Sequence, residues 1–100
     1  MIKHIVMWKL KEQAEGADKA ANAAKMKALL EDCRDIVPGI VAFEAALAQP
    51  GLEATYDVLL YAVFKDKWAL DAYLDHPTHM ALKPFFAAVR EERQCMDYEV

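Results

Sequence analysis

Tyr-Asp-Val-Leu-Leu-Tyr-Ala-Val-Phe, at residues 56–64, is the stretch from which the fold follows. It is rich in β-branched and aromatic residues, which favour strands because they pack well on a pleated surface. Side chains along a strand point alternately to its two faces, so Leu59, Tyr61 and Val63 share one face. The residues that oppose them are also apolar. The stretch therefore predicts a strand with two apolar faces.

Single Gly and Pro residues divide the rest of the chain into further elements. Residue types typical of strands occur at 2–10, 40–48 and 94–99. Helical periodicity, caps and prolines predict helices at 17–37, 66–76 and 84–92. The order is β-α-β-β-α-β, with a short extra helix before the last strand. This order predicts an α+β, ferredoxin-like subunit, in which helices cover one face of an antiparallel four-stranded sheet.

The face of the sheet that the helices leave open is also predicted to be apolar. In the first strand, Ile5 and Met7 oppose Val6 and Trp8, so this strand repeats the pattern of residues 56–64. Burying four such side chains gains about 6–12 kcal/mol, whereas association costs about 4–15 kcal/mol. A whole sheet face from each of two subunits would suffice. We therefore expect a homodimer that packs the two sheets face to face, closed into an α+β barrel.

Length and composition limit the classes of protein. One hundred residues predict a single domain, 1–100. Hydrophobic residues make up 56% of the chain although the mean hydropathy is only −0.01. The two values differ because many of these residues are alanines, which are only weakly hydrophobic and are concentrated in residues 14–28. The net charge of −4 argues against nucleic acid or an anionic membrane as the main partner. It is compatible with a small anionic ligand held by a local group.

No apolar run in the sequence approaches a membrane span or a signal-peptide core. Cys33 and Cys95 are the two cysteines, and they do not form a CxxC motif. We expect reduced thiols and a cytoplasmic location, with a disulfide between the two cysteines left open as the alternative.

Tyr-Leu-Asp-His-Pro-Thr-His, at residues 73–79, is the densest cluster of side chains suited to chemistry. Histidine is the side chain best suited to acid–base work near neutral pH. Tyr73 approaches His79 if the chain reverses at Pro77. The alternative is a capped helix end, with His76 bonded to the last carbonyls and His79 packed in the loop. No zinc site is expected, because spacing marks no third ligand beside these two histidines.

Two other features have a structural and a functional interpretation. His4 shares a strand face with Val6 and Trp8, which is typical of a core histidine unless that face lines an enclosed space. The run Arg90-Glu91-Glu92-Arg93 is interpreted as the solvated end of a helix.

Four segments together resemble the stress-responsive A/B barrel domain (Dabb) family. They are Ile2-Lys3-His4-Ile5-Val6, Tyr56-Asp57-Val58-Leu59-Leu60-Tyr61, the 73–79 cluster and Asp97-Tyr98-Glu99-Val100. The resemblance spans the whole chain and implies a dimeric α+β barrel of two ferredoxin-like subunits.

The resemblance also implies roles for individual residues. A plant polyketide cyclase of the family has an acid–base tyrosine and histidine at positions that match Tyr73 and His79, and a pocket histidine that matches His4. Its second pocket histidine corresponds to Val58, so the cyclase substrate does not carry over. We expect His79, Tyr73 and His4 as catalytic residues. The residues expected to bind an apolar or aromatic metabolite are Val6, Trp8, Val58, Leu60 and His76.

Three functions follow as hypotheses, none of which needs a cofactor. The first is acid–base chemistry of the aldol or cyclase type on a small metabolite. The second is a binding or stress-protective dimer without turnover. The third is a cofactor-independent monooxygenase, since related dimeric barrels include such enzymes.

Overall fold

The computed structural model describes all 100 residues and has the predicted ferredoxin-like α+β fold. The elements are β1 (Ile2–Leu10), β2 (Gln13–Ala14), β3 (Ala17–Asp18), α1 (Lys19–Glu31), β4 (Ile40–Leu47), β5 (Val58–Phe64), α2 (Lys67–Asp75), α3 (Pro77–Met80), α4 (Lys83–Val89) and β6 (Arg90–Glu99). Strands β4, β5, β1 and β6 form one antiparallel sheet in that spatial order. β2 and β3 form a small hairpin of their own.

The first helix is shorter than the predicted 17–37. The β2–β3 hairpin takes up its first residues, and Asp18 then caps α1 by accepting a hydrogen bond from the Ala21 N–H (2.9 Å). After Glu31 the chain continues as turns, which Arg34 holds against β4 by donating to the Phe43 carbonyl (2.7 Å). Ile36, in these turns, still packs against the core. The spacing of apolar residues in 17–37 therefore predicted correctly which side chains are buried, but it predicted too long a helix.

The interpretation of Arg90–Arg93 as a helix end is wrong. α4 ends at Val89, and β6 begins at once, four residues before the predicted strand. The physical reason is that β1 continues to Leu10, and its backbone N–H and C=O groups need hydrogen-bond partners along this edge. Trp8 pairs with Arg93, and Leu10 pairs with Arg90 across a bulge. Tertiary pairing thus overrides the local helical preference of this segment.

The two faces of the sheet differ in cover, as predicted. In β1 the residues of one face, among them Val6 and Trp8, are buried beneath the helices. The other face carries Ile5, Leu59 and Tyr61, and its Met96 in β6 is 66% exposed. The helices leave this second, largely apolar face open.

The turn at Pro38-Gly39 fixes where α2 lies. Gly39 has a φ of +90°, and a Cβ atom there would lie 2.8 Å from Cβ of Ala69 in α2. The Gly39 carbonyl also accepts a hydrogen bond from the Lys65 N–H (2.8 Å). Only glycine fits both the backbone conformation and the close approach.

Both cysteines are free thiols, Cys33 buried and Cys95 exposed, so the alternative of a disulfide between them is not realised. None of the helices is both long enough and apolar enough to cross a membrane.

Candidate functional site

A cavity of about 480 Å³ lies between the helix-covered face of the sheet and helices α2 to α4. It belongs to a single chain and lies on the opposite side of the sheet from the open face. Its walls combine apolar, aromatic and basic side chains: His4, Val6, Trp8, Leu30, Leu60, Tyr73, Leu74, Asp75, His79, Leu82, Lys83, Phe86, Ala87, Arg90 and Arg93. The cavity therefore gathers residues from both ends of the chain.

The 73–79 segment brings Tyr73 and His79 together by reversing the chain at Pro77. The His76 side chain accepts a hydrogen bond from the Thr78 N–H (3.1 Å) and so caps α3, whose first residue is Pro77. This turn packs the rings of Tyr73 and His79 against each other, with centroids 4.7 Å apart and planes inclined at 51°. The expected cap is therefore wrong in its assignment: His79, within α3, bonds the Leu74 carbonyl of α2, whereas His76 caps the start of α3.

The His79 ring is held in one tautomer by the backbone. Its Nδ1 lies 3.0 Å from the Leu74 carbonyl oxygen, which can only accept, so Nδ1 carries the hydrogen. Burial lowers the pKa of His79, and the charges of Lys83 and Arg93 lower it further, against the opposing effect of the Leu74 bond. His79 is therefore neutral near pH 7, and its Nε2 lone pair can accept a proton.

Tyr73 is fully buried, and its hydroxyl makes no hydrogen bond. Burial raises the pKa of this phenol, so it stays protonated and able to donate. The indole N–H of Trp8 is likewise buried without a partner. Leaving such a donor unpaired costs about 1–3 kcal/mol. Both of these unsatisfied donors belong to residues of the cavity wall, and Tyr73 does not hold His79 through a hydrogen bond.

His4 is positioned by a residue that the sequence did not single out as functional. Only 3% of His4 is exposed, and its Nδ1 forms a hydrogen bond with Asp97 of β6. The two residues are direct partners in the β1–β6 ladder although they are 93 positions apart. Asp97 therefore fixes the His4 ring and leaves its Nε2 free. The alternation of β6 places Asp97 on this face, but only the strand register shows which residue it meets.

His4, Cys95 and Asp97 have potential ligand atoms within 4.8 Å of one another. A cysteine binds metals as the thiolate, and partial burial together with Asp97 raises the pKa of the Cys95 thiol. The hydrogen bond between His4 and Asp97 accounts for this arrangement without a metal ion.

Two residues expected to bind the ligand lie elsewhere. Val58 is buried on the same sheet face as Leu60, but it packs in the ladder between Trp8 and Leu47 and does not line the cavity. His76 also lies off the cavity wall, since its side chain serves as the cap of α3. His4, Val6, Trp8, Leu60, Tyr73 and His79 do meet at one cavity.

The match to a family model extends over almost the whole chain. The model of the Stress Responsive A/B Barrel Domain matches residues 2–100. The chain belongs to this family. No curated protein matches the chain.

Solved structures of this fold are similar over nearly the whole chain. A dimeric protein of unknown function from Bacteroides fragilis is 30% identical, with a TM-score of 0.81 and 99% of this chain and 95% of that chain covered. A Dabb family protein from Mesorhizobium loti is 25% identical, with a TM-score of 0.70 and the same coverage. A hydroxynitrile lyase from Passiflora edulis shares the fold at 17% identity, with a TM-score of 0.76 and 99% and 92% covered.

Proposed function

We propose that this Dabb protein binds a small apolar or aromatic metabolite in its cavity and carries out cofactor-free acid–base chemistry on it. The observation that carries the proposal is the contact between Tyr73 and His79, a protonated phenol without a partner beside a neutral imidazole. Two titratable groups whose environments push their pKa values apart are a pattern from which acid and base roles are assigned.

His79 is the proposed base. Its Nε2 accepts a proton from the carbon next to a carbonyl group of the ligand, which leaves an enolate and an imidazolium. The Leu74 carbonyl keeps Nδ1 protonated and therefore stabilises the imidazolium once it forms.

Tyr73 is the proposed donor to the enolate oxygen. Its hydroxyl is shielded from water, and a hydrogen bond in such surroundings is stronger than one in bulk solvent. Attack of the enolate carbon on a second carbonyl of the same ligand would close a ring, and His79 would return its proton to the new alkoxide. His4, fixed by Asp97, assists by orienting the ligand from the sheet side.

The proposed assembly is a homodimer in which two copies cover each other's open sheet face. Leu59 and Tyr61 lie at the centre of that face, on β5. Similar structures in this fold, such as the one from Bacteroides fragilis, are dimeric. The cavity lies on the opposite side of the sheet, so each copy would have a complete site.

The test of the chemistry is hydrogen exchange in a carbonyl compound that fits the cavity. The probe is 2-tetralone, a compact aromatic ketone, incubated in D₂O with the protein while NMR follows loss of the protons next to the carbonyl. A positioned base contributes about 10²–10⁴-fold, so exchange should exceed the buffer rate and His79→Ala should remove the excess.

The matched control is His76→Asn, which changes the other histidine of the segment and keeps an acceptor at the helix cap. It should leave exchange unchanged, because His76 does not line the cavity. Exchange that survives His79→Ala in full would contradict the proposed base. Binding of 2-tetralone without any exchange would favour the alternative, a binding protein without turnover.

A further inference from the structure

The rim of the cavity carries a local excess of positive charge. Lys83, Arg90 and Arg93, here called the cationic rim, all line the cavity, and none of them forms an ion pair. Asp75 is the one carboxylate that lines the cavity, so one lysine and two arginines exceed the carboxylates there by +2. The chain as a whole has a net charge of −4. The excess is therefore a property of this site.

The strand geometry of β6 produces this separation of charge. Arg90-Glu91-Glu92-Arg93 has no net charge, but its arginines and its glutamates have different neighbours. Glu92 forms an ion pair with Lys9 (3.8 Å), and the charge of Glu91 acts on Lys19. Both arginines are left at the cavity without a carboxylate partner.

The cationic rim adjoins an apolar interior. Arg93 is the ladder partner of Trp8, which packs edge-on against Phe86 at a centroid distance of 5.4 Å. A guanidinium group matches an oxyanion by donating two parallel hydrogen bonds. An apolar wall beside arginines suits a molecule with an apolar body and an anionic end.

We propose that the ligand of this cavity joins an apolar body to an anionic oxygen group such as a carboxylate, and that the cationic rim binds that group. The inference rests on the proposed ligand-binding function and names the ligand's chemical class. The proposed dimer leaves the rim accessible, because it uses the opposite face of the sheet. Lys83 and Arg93 act electrostatically on His79, so the anionic end would lie near the proposed base.

The test compares two probes of the same shape, 2-naphthoate and its neutral amide, 2-naphthamide, by calorimetric titration of the whole protein at low salt. Hydrogen bonds to charged groups predict that 2-naphthoate binds about tenfold more tightly. Raising the salt concentration should reduce this preference, because the rim is partly exposed to solvent. The double variant Arg90→Gln, Arg93→Gln should remove most of the preference, because it leaves Lys83 as the one cation of the rim. Far-ultraviolet circular dichroism of the variant reports whether the fold is intact.

Lys65→Gln is the matched control, since Lys65 is exposed, forms no ion pair and does not line the cavity. It should retain the full preference for 2-naphthoate. Equal binding of both probes to the unaltered protein would overturn the anionic ligand and leave the proposed cavity function standing. Failure of both probes to bind would count against both proposals.

Discussion

The rings of Tyr73 and His79 lie 4.7 Å apart between their centroids, yet no hydrogen bond joins the two side chains. His79 is held by the Leu74 carbonyl, and the Tyr73 hydroxyl is left without a partner. This relationship separates a structural role for Tyr73 from a chemical one, because an unpaired buried hydroxyl does not stabilise the fold.

Tyr73→Phe should leave stability unchanged or raise it by about 1 kcal/mol, because it removes an unsatisfied buried hydroxyl. Loss of a donor to a developing oxyanion slows a reaction by about 10²–10³-fold, so exchange of 2-tetralone should fall strongly. Urea denaturation and the exchange rate measure the two effects. The control is Tyr61→Phe, on the open face of the sheet, which should leave the exchange rate unchanged. A clear loss of stability in Tyr73→Phe would show that the Tyr73 hydroxyl is structural.

Acid should destabilise the fold through His79. Burial lowers the pKa of His79 from its ordinary 6.5, so the unfolded chain binds more protons at this residue than the folded chain does. Stability due to this residue is therefore complete well above pH 6.5 and is lost as the pH falls through and below that value. Urea midpoints between pH 8 and pH 5 should fall less steeply for His79→Asn than for the unaltered protein.

The same shift predicts the pH dependence of exchange. Because the pKa of His79 lies below 6.5, the rate of 2-tetralone exchange should fall to half its plateau value only below that pH. NMR titration of the His79 ring gives the pKa directly for comparison. A rate that halves above pH 6.5 would point to a different base.

Asp97→Ala should loosen the His4 ring and lower stability by about 1 kcal/mol, a value reduced because the Asp97 side chain is 38% exposed. NMR of the His4 ring should show a change of tautomer, since the carboxylate no longer fixes the hydrogen on Nδ1. Glu99→Ala removes the next carboxylate on the same strand face and is the control. Equal effects of the two substitutions would assign the loss to general surface charge.

Leu59→Glu should convert the proposed dimer into a monomer, because it places a charge at the centre of the open sheet face. Sedimentation at micromolar concentration should show a species of 11.3 kDa for this variant and twice that mass for the unaltered protein. Leu52→Glu, in a turn where the side chain is 67% exposed, should remain dimeric. A monomeric unaltered protein would contradict the assembly.

Gly39→Ala should be more destabilising than Gly51→Ala, although both residues have positive φ, +90° and +84°. Strain of the backbone costs about 1–3 kcal/mol at either position. Only at Gly39 would the new Cβ also meet Ala69, at 2.8 Å, and overpacking adds about 1–3 kcal/mol. Thermal denaturation of the two variants measures the difference, and equal losses would show that α2 can move away.

Much of the architecture could be predicted because it depends on short-range patterns. The two apolar faces of residues 56–64 and the turns at Pro38-Gly39 and Pro77 were predicted without knowledge of distant residues. The errors arose where a neighbour distant in sequence decided the outcome. Residues 90–93 have a local preference for helix, but the edge of β1 requires them as a strand.

The part of the candidate site that was predicted also depends on residues close in sequence. Tyr73 and His79 are close in sequence, so one reversal at Pro77 sufficed to bring them together. Val58 and His76 were expected to bind the ligand, and the structure places one in the core ladder and the other at a helix cap. Which residues of a buried strand reach a cavity depends on where the covering helices end.

The sequence by itself determined a sheet with two apolar faces and a histidine cluster at the end of a helix, because side-chain alternation and capping are local properties of the chain. Only the tertiary structure decided that Asp97 holds His4 and that Arg90 and Arg93 face the cavity while Glu92 does not. The physical reason is register: the backbone ladder between β1 and β6 sets which side chains meet, and that pairing joins residues about ninety positions apart.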